Sequence, residues 1–250
     1  MRILLTNDDG IDAEGLAAVA EVLSEHAEVI VVAPRDHQSC CGHGVTTTRP
    51  LQVEERRAGW YSVDGLPADC VRVGLLHLQL QPDWIVSGIN HGGNLGVDIL
   101  MSGTVAAARE ASLLGYRSIA LSQYRNPSVH VPWELSAQRA LSAWQRIQQR
   151  ELERHTLWNV NLPAVASLTP SPPFSASDCH IEMIDCHPER EPLNFHLEPS
   201  DMGLVYRSNY QLRPRSECSD VAHCFGGKIT CSKLFAHQVN ESSFNPYAEG

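Results

Sequence analysis

Apolar residues in this chain gather in short unbroken runs, and amphipathic stretches separate one run from the next. Met1 to Thr6, Val29 to Ala33, Asp83 to Ser87, Ser118 to Ser122 and Trp158 to Asn161 are such runs. Runs this short and this continuous read as strands covered on both faces, the habit of parallel sheets. Between them, Leu16, Val19, Ala20 and Leu23 recur at helical spacing through Glu14 to Glu25. Pro67 stands at the first position of a helix through Val71, Leu75 and Leu76. Val105 to Leu114 forms a third helix, closed by Gly115. Ala137, Ala140, Leu141, Trp144 and Ile147 mark a fourth within Trp133 to Arg154. Strands alternating with helices predict an α/β fold, a mostly parallel sheet with helices on both faces. Cys40 to Arg49 reads as loop or extended chain, with Thr46 to Thr48 favouring a strand. Trp158 to Asn161 is expected to be the last strand of the main sheet. Beyond it, Pro163 to Ser177 is rich in Pro, Ser and Ala, and the remaining tail has only short strand-like runs at Leu204 to Tyr206 and Lys228 to Cys231. The chain thus divides into a core, residues 1–162, that carries the chemistry and an irregular C-terminal appendage, residues 163–250.

Ligands in open α/β sheets bind outside the carboxyl ends of the strands. The first strand ends on Asn7-Asp8-Asp9-Gly10. Two adjacent anions repel unless a cation joins them, and a hard divalent ion such as Mg²⁺ or Mn²⁺ prefers oxygen donors of this kind. An Asx-rich turn capping the next helix explains the same residues. The second strand ends at Pro34, and its loop brings Ser39 to the same edge. The third opens onto a glycine-rich loop, Gly88-Ile89-Asn90-His91-Gly92-Gly93-Asn94-Leu95-Gly96, whose order does not make the dinucleotide fingerprint. Ser102-Gly103-Thr104 then begins a helix whose free amides suit an anion, while Ser102 suits an ordinary cap, and both readings stand. His91 is placed to donate a proton or to ligate, although a chain with twelve His puts some near any site.

The chain has 250 residues, enough for one large core with an elaboration, and 43% are hydrophobic against 19% charged. Acids exceed bases 29 to 19, for a formal charge of −10, which disfavours a surface that tracks a nucleic-acid polymer. No run has the length of a membrane span and the N-terminus does not read as a signal peptide, so the expected compartment is the cytoplasm, with no membrane partner. The eight cysteines show no CxxC spacing and read as reduced thiols, even at Cys179-His180 and Cys186-His187. Adjacent Cys40 and Cys41 are expected to be thiols near the site. HExxH, a nucleophile elbow and a P-loop are all missing, which leaves metal-assisted phosphoryl chemistry.

The ordered set Asn7-Asp8-Asp9-Gly10, Ala33-Pro34 to Ser39, Pro67-Ala68-Asp69-Cys70 and Val86-Ser87-Gly88-Ile89-Asn90, continued by Asn94, Gly96 and Ser102-Gly103-Thr104, resembles the SurE survival-protein nucleotidases. The resemblance implies a Rossmann-like core and a metal-dependent phosphatase acting on nucleoside 5'-monophosphates, with 3'-monophosphates as further substrates. It implies one divalent cation per subunit, held by Asp8, Asp9, Ser39 and Asn90, with Asp8, Asp9 and Asn90 catalytic and with Asn94, Ser102, Gly103 and Thr104 contacting phosphate. It further implies a homo-oligomer, dimer or tetramer, and the run from Asp201 to Phe235 is expected to pack against another subunit. Asn159-Val160-Asn161-Leu162-Pro163 also matches. Departures lie at Leu66, where the family usually has a capping Thr, at Ser219-Asp220 in place of Thr-Asp, and at Gly227 to Leu234, where Lys228 and Lys233 replace an aromatic and a proline. Two other readings compete. A receiver-like signalling domain also pairs acids after its first strand, but the third strand here ends on Ser87-Gly88 and no Lys precedes Lys228. A non-catalytic binder of metal and nucleotide is the other.

Overall fold

The computed structural model describes residues 1–169 and 171–237; the end of the expected appendage, 238–250, lies outside them. Nine strands form one sheet: β1 (Arg2–Thr6), β2 (Glu28–Pro34), β3 (Val53–Arg57), β4 (Trp60–Val63), β5 (Trp84–His91), β6 (Ser118–Gln123), β7 (Thr156–Leu162), β8 (Met183–Asp185) and β11 (Ile229–Phe235), in the order β3-β4-β2-β1-β5-β6-β7-β11-β8. From β4 to β7 every neighbouring pair is parallel. Each central strand feeds both faces. Ile3 and Leu5 of β1 pack toward α1 (Glu14–Ser24) and α4 (Trp133–Ile147), while Leu4 packs with the residues of α2 (Pro67–Arg72) and α3 (Gly103–Leu113). Strand residues alternate faces, so a run that is apolar at every position requires cover on both sides. This is the α/β arrangement expected from the sequence.

Four expectations need correction. Thr46 to Thr48 is not a strand; its place at the edge is taken by β3 and β4, where Glu54, Glu55, Arg56 and Arg57 stand exposed on an antiparallel edge. Charges along an edge strand discourage pairing with other chains, and they also conceal the strand from a search for apolar runs. The fourth helix stops at Ile147, its last buried residue, because only polar residues follow as far as Glu151. β7 is not the last strand of the sheet, since β11 pairs with it antiparallel and β8 then pairs with β11 in parallel. Finally, the run Asp201 to Phe235, expected to pack against another subunit, is in large part committed to its own chain. From Tyr210 onward it returns to its own core, through α6 (Asp220–Phe225) and then β11. Only β9 (Phe195–Ser200) and β10 (Gly203–Ser208) remain apart, as a separate antiparallel hairpin with Phe195, Leu197, Leu204 and Tyr206 exposed.

The departures from the family pattern find local substitutes. Asp69 accepts the Leu66 amide at 2.9 Å and the Thr46 amide at 3.0 Å, so the start of α2 keeps an anionic partner without a hydroxyl at position 66. Ser219 caps α6 by accepting from the Ala222 amide at 3.2 Å. Lys228 and Lys233 pair with Glu182 and Glu153 at the surface.

Candidate functional site

The carboxyl ends of β1 and β5 and the start of α3 meet at Asp8. This carboxylate is 4% exposed, and Thr104 holds both of its oxygens: the Thr104 hydroxyl donates at 2.6 Å and its amide at 3.0 Å. Burial raises the Asp8 carboxyl from an ordinary 3.8 to about 6, the neighbouring Asp9 adds to the rise, and the Thr104 hydrogen bonds oppose it. Asp9 takes the His91 amide at 2.9 Å and lies 3.5 Å from His37. His37 in turn lies 2.6 Å from the Ser39 hydroxyl.

A bulge aims Asn90. Ser87 pairs with Ala120 while Asn90 pairs with Ser122, so β5 carries one residue more than β6 between the two pairings. The bulge contains Gly88 at φ +137°, where a Cβ would meet the Leu121 carbonyl oxygen at 2.2 Å, so only glycine fits. The Asn90 side-chain nitrogen donates to the Gly92 carbonyl at 2.9 Å, which leaves its side-chain oxygen as a ligand donor. Asn94 is pinned by three neighbours. Its side chain donates to Ser122 at 2.8 Å, its amide donates to Asn161 at 2.7 Å, and its carbonyl accepts from Asn159 and Asn161. The matching Asn159-Val160-Asn161 motif thereby supports a loop on a distant strand.

Asp8, Ser39, Asn90, Asn94 and Ser102 line one cleft of about 250 Å³. Gly103 and Thr104 stand behind it. A Cβ on Gly103 would meet Asp8 Cβ and Cys41 Sγ at 2.8 Å, which is how α3 approaches Asp8 so closely. The choice between cap and anion site at this helix start is resolved in part: Val105 donates to the Ser102 hydroxyl at 3.0 Å, Ala106 to the Ser102 carbonyl, and Thr104 to Asp8. Of the first amides, that of Gly103 is left for a ligand.

Reading the sequence missed one wall of the cleft. Asp98, Met101 and Tyr210 also line it, with Cys40 and the His91-Gly92-Gly93 turn. Tyr210 donates to Asp98 at 3.2 Å, and the buried Arg213 pairs with the same carboxylate and donates to the Leu95 carbonyl at 3.2 Å. Asp220, fully buried, accepts the amides of Gly96 and Glu189, each at 2.8 Å. The tail therefore holds the turn Gly96–Leu100 from behind. All eight cysteines are free thiols, and Cys40 and Cys41 do sit beside the cleft.

Among the described residues no three His, Cys, Asp or Glu side chains gather in a way that would hold a metal. The donors at this cleft are of another kind, two carboxylates with a hydroxyl and an amide oxygen, an all-oxygen set suited to a hard divalent cation and poorly suited to zinc. The two adjacent anions, one of them buried, are the charge such an ion would offset. No helix among the described residues is long and apolar enough to cross a membrane.

Comparison with known proteins shows the family. The family model described as survival protein SurE matches residues 3–177. A Synechocystis protein, provisionally named a 5'-nucleotidase, is 42% identical over 94% of this chain and 99% of its own length. The 5'-nucleotidase SurE of Pelobacter propionicus is 46% identical over 70% of each chain. The crystal structure of the SurE protein from Aquifex aeolicus superposes with a TM-score of 0.82 at 29% identity, covering 97% of this chain and 96% of that one. With a family model matched over most of its length and a 42% identical relative aligned over nearly all of both chains, the chain belongs to the SurE family.

Proposed function

We propose that this chain is a 5'-nucleotidase that hydrolyses nucleoside monophosphates to nucleoside and inorganic phosphate, with one divalent cation, Mg²⁺ or Mn²⁺, per subunit. The observation that carries the proposal is the convergence of Asp8, Ser39 and Asn90 on one cleft with Asp9 beside it and the start of α3 behind. The names of the relatives support the substrate class. Asp8, Asp9, Ser39 and Asn90 hold the cation, which when bound draws charge from the phosphate oxygens and eases cleavage of the ester. Thr104 fixes the Asp8 carboxylate and favours its ionised form against the burial that raises it. Asn94, Ser102 and the Gly103 amide face the phosphate and stabilise negative charge as it develops there. His91 flanks the cleft, with its ring 5.9 Å from that of Trp133. Nucleoside 3'-monophosphates are further proposed substrates.

The assignment is tested by phosphate release. Asp8→Asn and Asp9→Asn each remove one anionic ligand, and turnover on AMP and GMP is expected to fall by orders of magnitude with the fold retained. Ser39→Ala, which removes a neutral ligand that water replaces, should cost less. Full turnover in either Asn variant would remove the proposed ligand set. We further propose that the exposed hairpin β9–β10 joins copies of the chain into a dimer or tetramer, and that the protein acts in the cytoplasm, which suits its eight unpaired thiols. Sedimentation at micromolar concentration showing an active monomer would refute the hairpin's role.

A further inference from the structure

Further along α3 from Thr104 stands Glu110, a carboxylate only 4% exposed that takes no part in lining the cleft. Its two oxygens are divided between side chains from two other elements. Arg72 of α2 donates from Nε to Oε1 at 2.6 Å, and the His43 Nε2 lies 2.8 Å from Oε2. Burial works to raise the Glu110 carboxyl, but the hydrogen bonds from His43 and Arg72 outweigh it and bring the group below its ordinary value. An ionised carboxylate only accepts, so the His43 Nε2 carries the proton and donates. His43 belongs to the loop that follows β2 and carries Ser39. Among the described residues it makes the only side-chain tie from the stretch between Ser39 and Thr46 to a helix. The other ties there are backbone amides, Gly42 to the Met101 carbonyl at 3.0 Å and Thr46 to Asp69 at 3.0 Å. One helix thus serves two of the proposed ligands: Thr104 at its start holds Asp8, and Glu110 holds the loop that presents Ser39. The Ser39 hydroxyl is neutral, so its value to a cation depends on being held in place rather than on charge.

Resting on the ligand set of the nucleotidase reading, we propose that His43 and Glu110 are positioning residues of the cation site, holding the Ser39 loop against α3 so that the Ser39 hydroxyl stays at the cleft with Asp8. Arg72 orients Glu110 for this, taking one of its oxygens and leaving the other for His43. Both positioning residues act through Ser39. Partners that orient a metal ligand commonly change metal affinity by about ten- to a hundredfold, and a tie acting through one neutral ligand belongs at the low end of that range.

The test is calorimetric titration of the full chain with Mn²⁺ in the absence of nucleotide. His43→Leu should weaken binding about tenfold, while His43→Gln, whose side-chain amide keeps a donor within reach of Glu110, should bind within about twofold of the intact protein. In a Ser39→Ala background His43→Leu should add less than about twofold, because the residue it acts through is already gone. Arg72→Met, which frees Glu110 on its other side, should weaken Mn²⁺ about threefold, and it decides the matter if circular dichroism shows His43→Leu unfolded. Lower thermal stability with unchanged Mn²⁺ affinity, a Gln variant no better than the Leu variant, or an undiminished loss in the Ser39→Ala background would each overturn the inference. If Asp9→Asn leaves Mn²⁺ affinity unchanged, the ligand set itself has failed, and the positioning role falls with it.

Discussion

Thr104→Val keeps the shape of the side chain and removes a hydroxyl that donates to Asp8 at 2.6 Å. A hydrogen bond to an ionised, buried carboxylate contributes about 1.5–3 kcal/mol, and a neutral one about 0.5–1.5 kcal/mol. The difference is expressed through pH. Burial raises the Asp8 carboxyl from 3.8 to about 6, with Asp9 adding to the rise. The folded chain therefore takes up a proton more readily than the unfolded one. Stability present at low pH is lost as pH rises from about 4 through 6, by about 3 kcal/mol at ~1.4 kcal/mol per unit. Removing the hydroxyl removes an interaction that favours the ionised form, so the carboxyl moves about one further unit upward. In urea unfolding with chelator present, the variant should trail the wild type by about 1 kcal/mol at pH 5 and by about 2–3 kcal/mol at pH 8. A deficit that is the same at both pH values would refute the role given to Thr104.

Gly88→Ala should be severe, because its Cβ would press on the Leu121 carbonyl at 2.2 Å and φ is +137°; a loss of more than about 3 kcal/mol in urea unfolding is expected, and a wild-type midpoint would contradict the bulge. Asp220→Asn replaces one of two accepting oxygens by an NH₂, which then opposes the amide of either Gly96 or Glu189, and should cost about 1–3 kcal/mol, with kcat/KM reduced and cation affinity by calorimetry unchanged. Replacing both Cys40 and Cys41 by Ala should leave cation affinity unchanged as well, and its loss in that variant would show the ligand set to be misplaced.

What the sequence made legible and what it concealed have physical causes. β1 and β5 announce themselves because both of their faces are buried, so Ile3, Leu4 and Leu5 are apolar in succession. β3 carries charges because it is an edge, and β11 mixes Thr230, Ser232 and Lys233 with Ile229 and Cys231 because it pairs in the outer part of the sheet. The first pattern does not exceed that of a loop, and the second reads only as a short strand-like run at Lys228 to Cys231, with nothing to place it in the main sheet. The acidic turn, Ser39 and Asn90 can be placed at one edge of the sheet from the sequence because each lies near the end of an apolar run that can be located. Tyr210, Arg213 and Asp220 are not, since each is a polar or aromatic residue in an irregular segment, and Arg213 meets Asp98 across 115 positions. No local pattern encodes that meeting. The Ser102-Gly103-Thr104 start lies between these cases: its position was legible, but the commitment of the Thr104 amide to Asp8 depends on the fold.

Phosphate release under multiple turnover tests the central claim most directly, with AMP and GMP as substrates, Mg²⁺ or Mn²⁺ supplied, and a chelator arm, alongside incubation with a small acyl phosphate. The account predicts catalytic release from both nucleotides, silenced reversibly by the chelator and nearly abolished in Asp9→Asn. Release that persists without any divalent cation, nucleotide binding with no turnover under either metal, or one equivalent of acid-labile phosphoprotein formed from the acyl phosphate would contradict it.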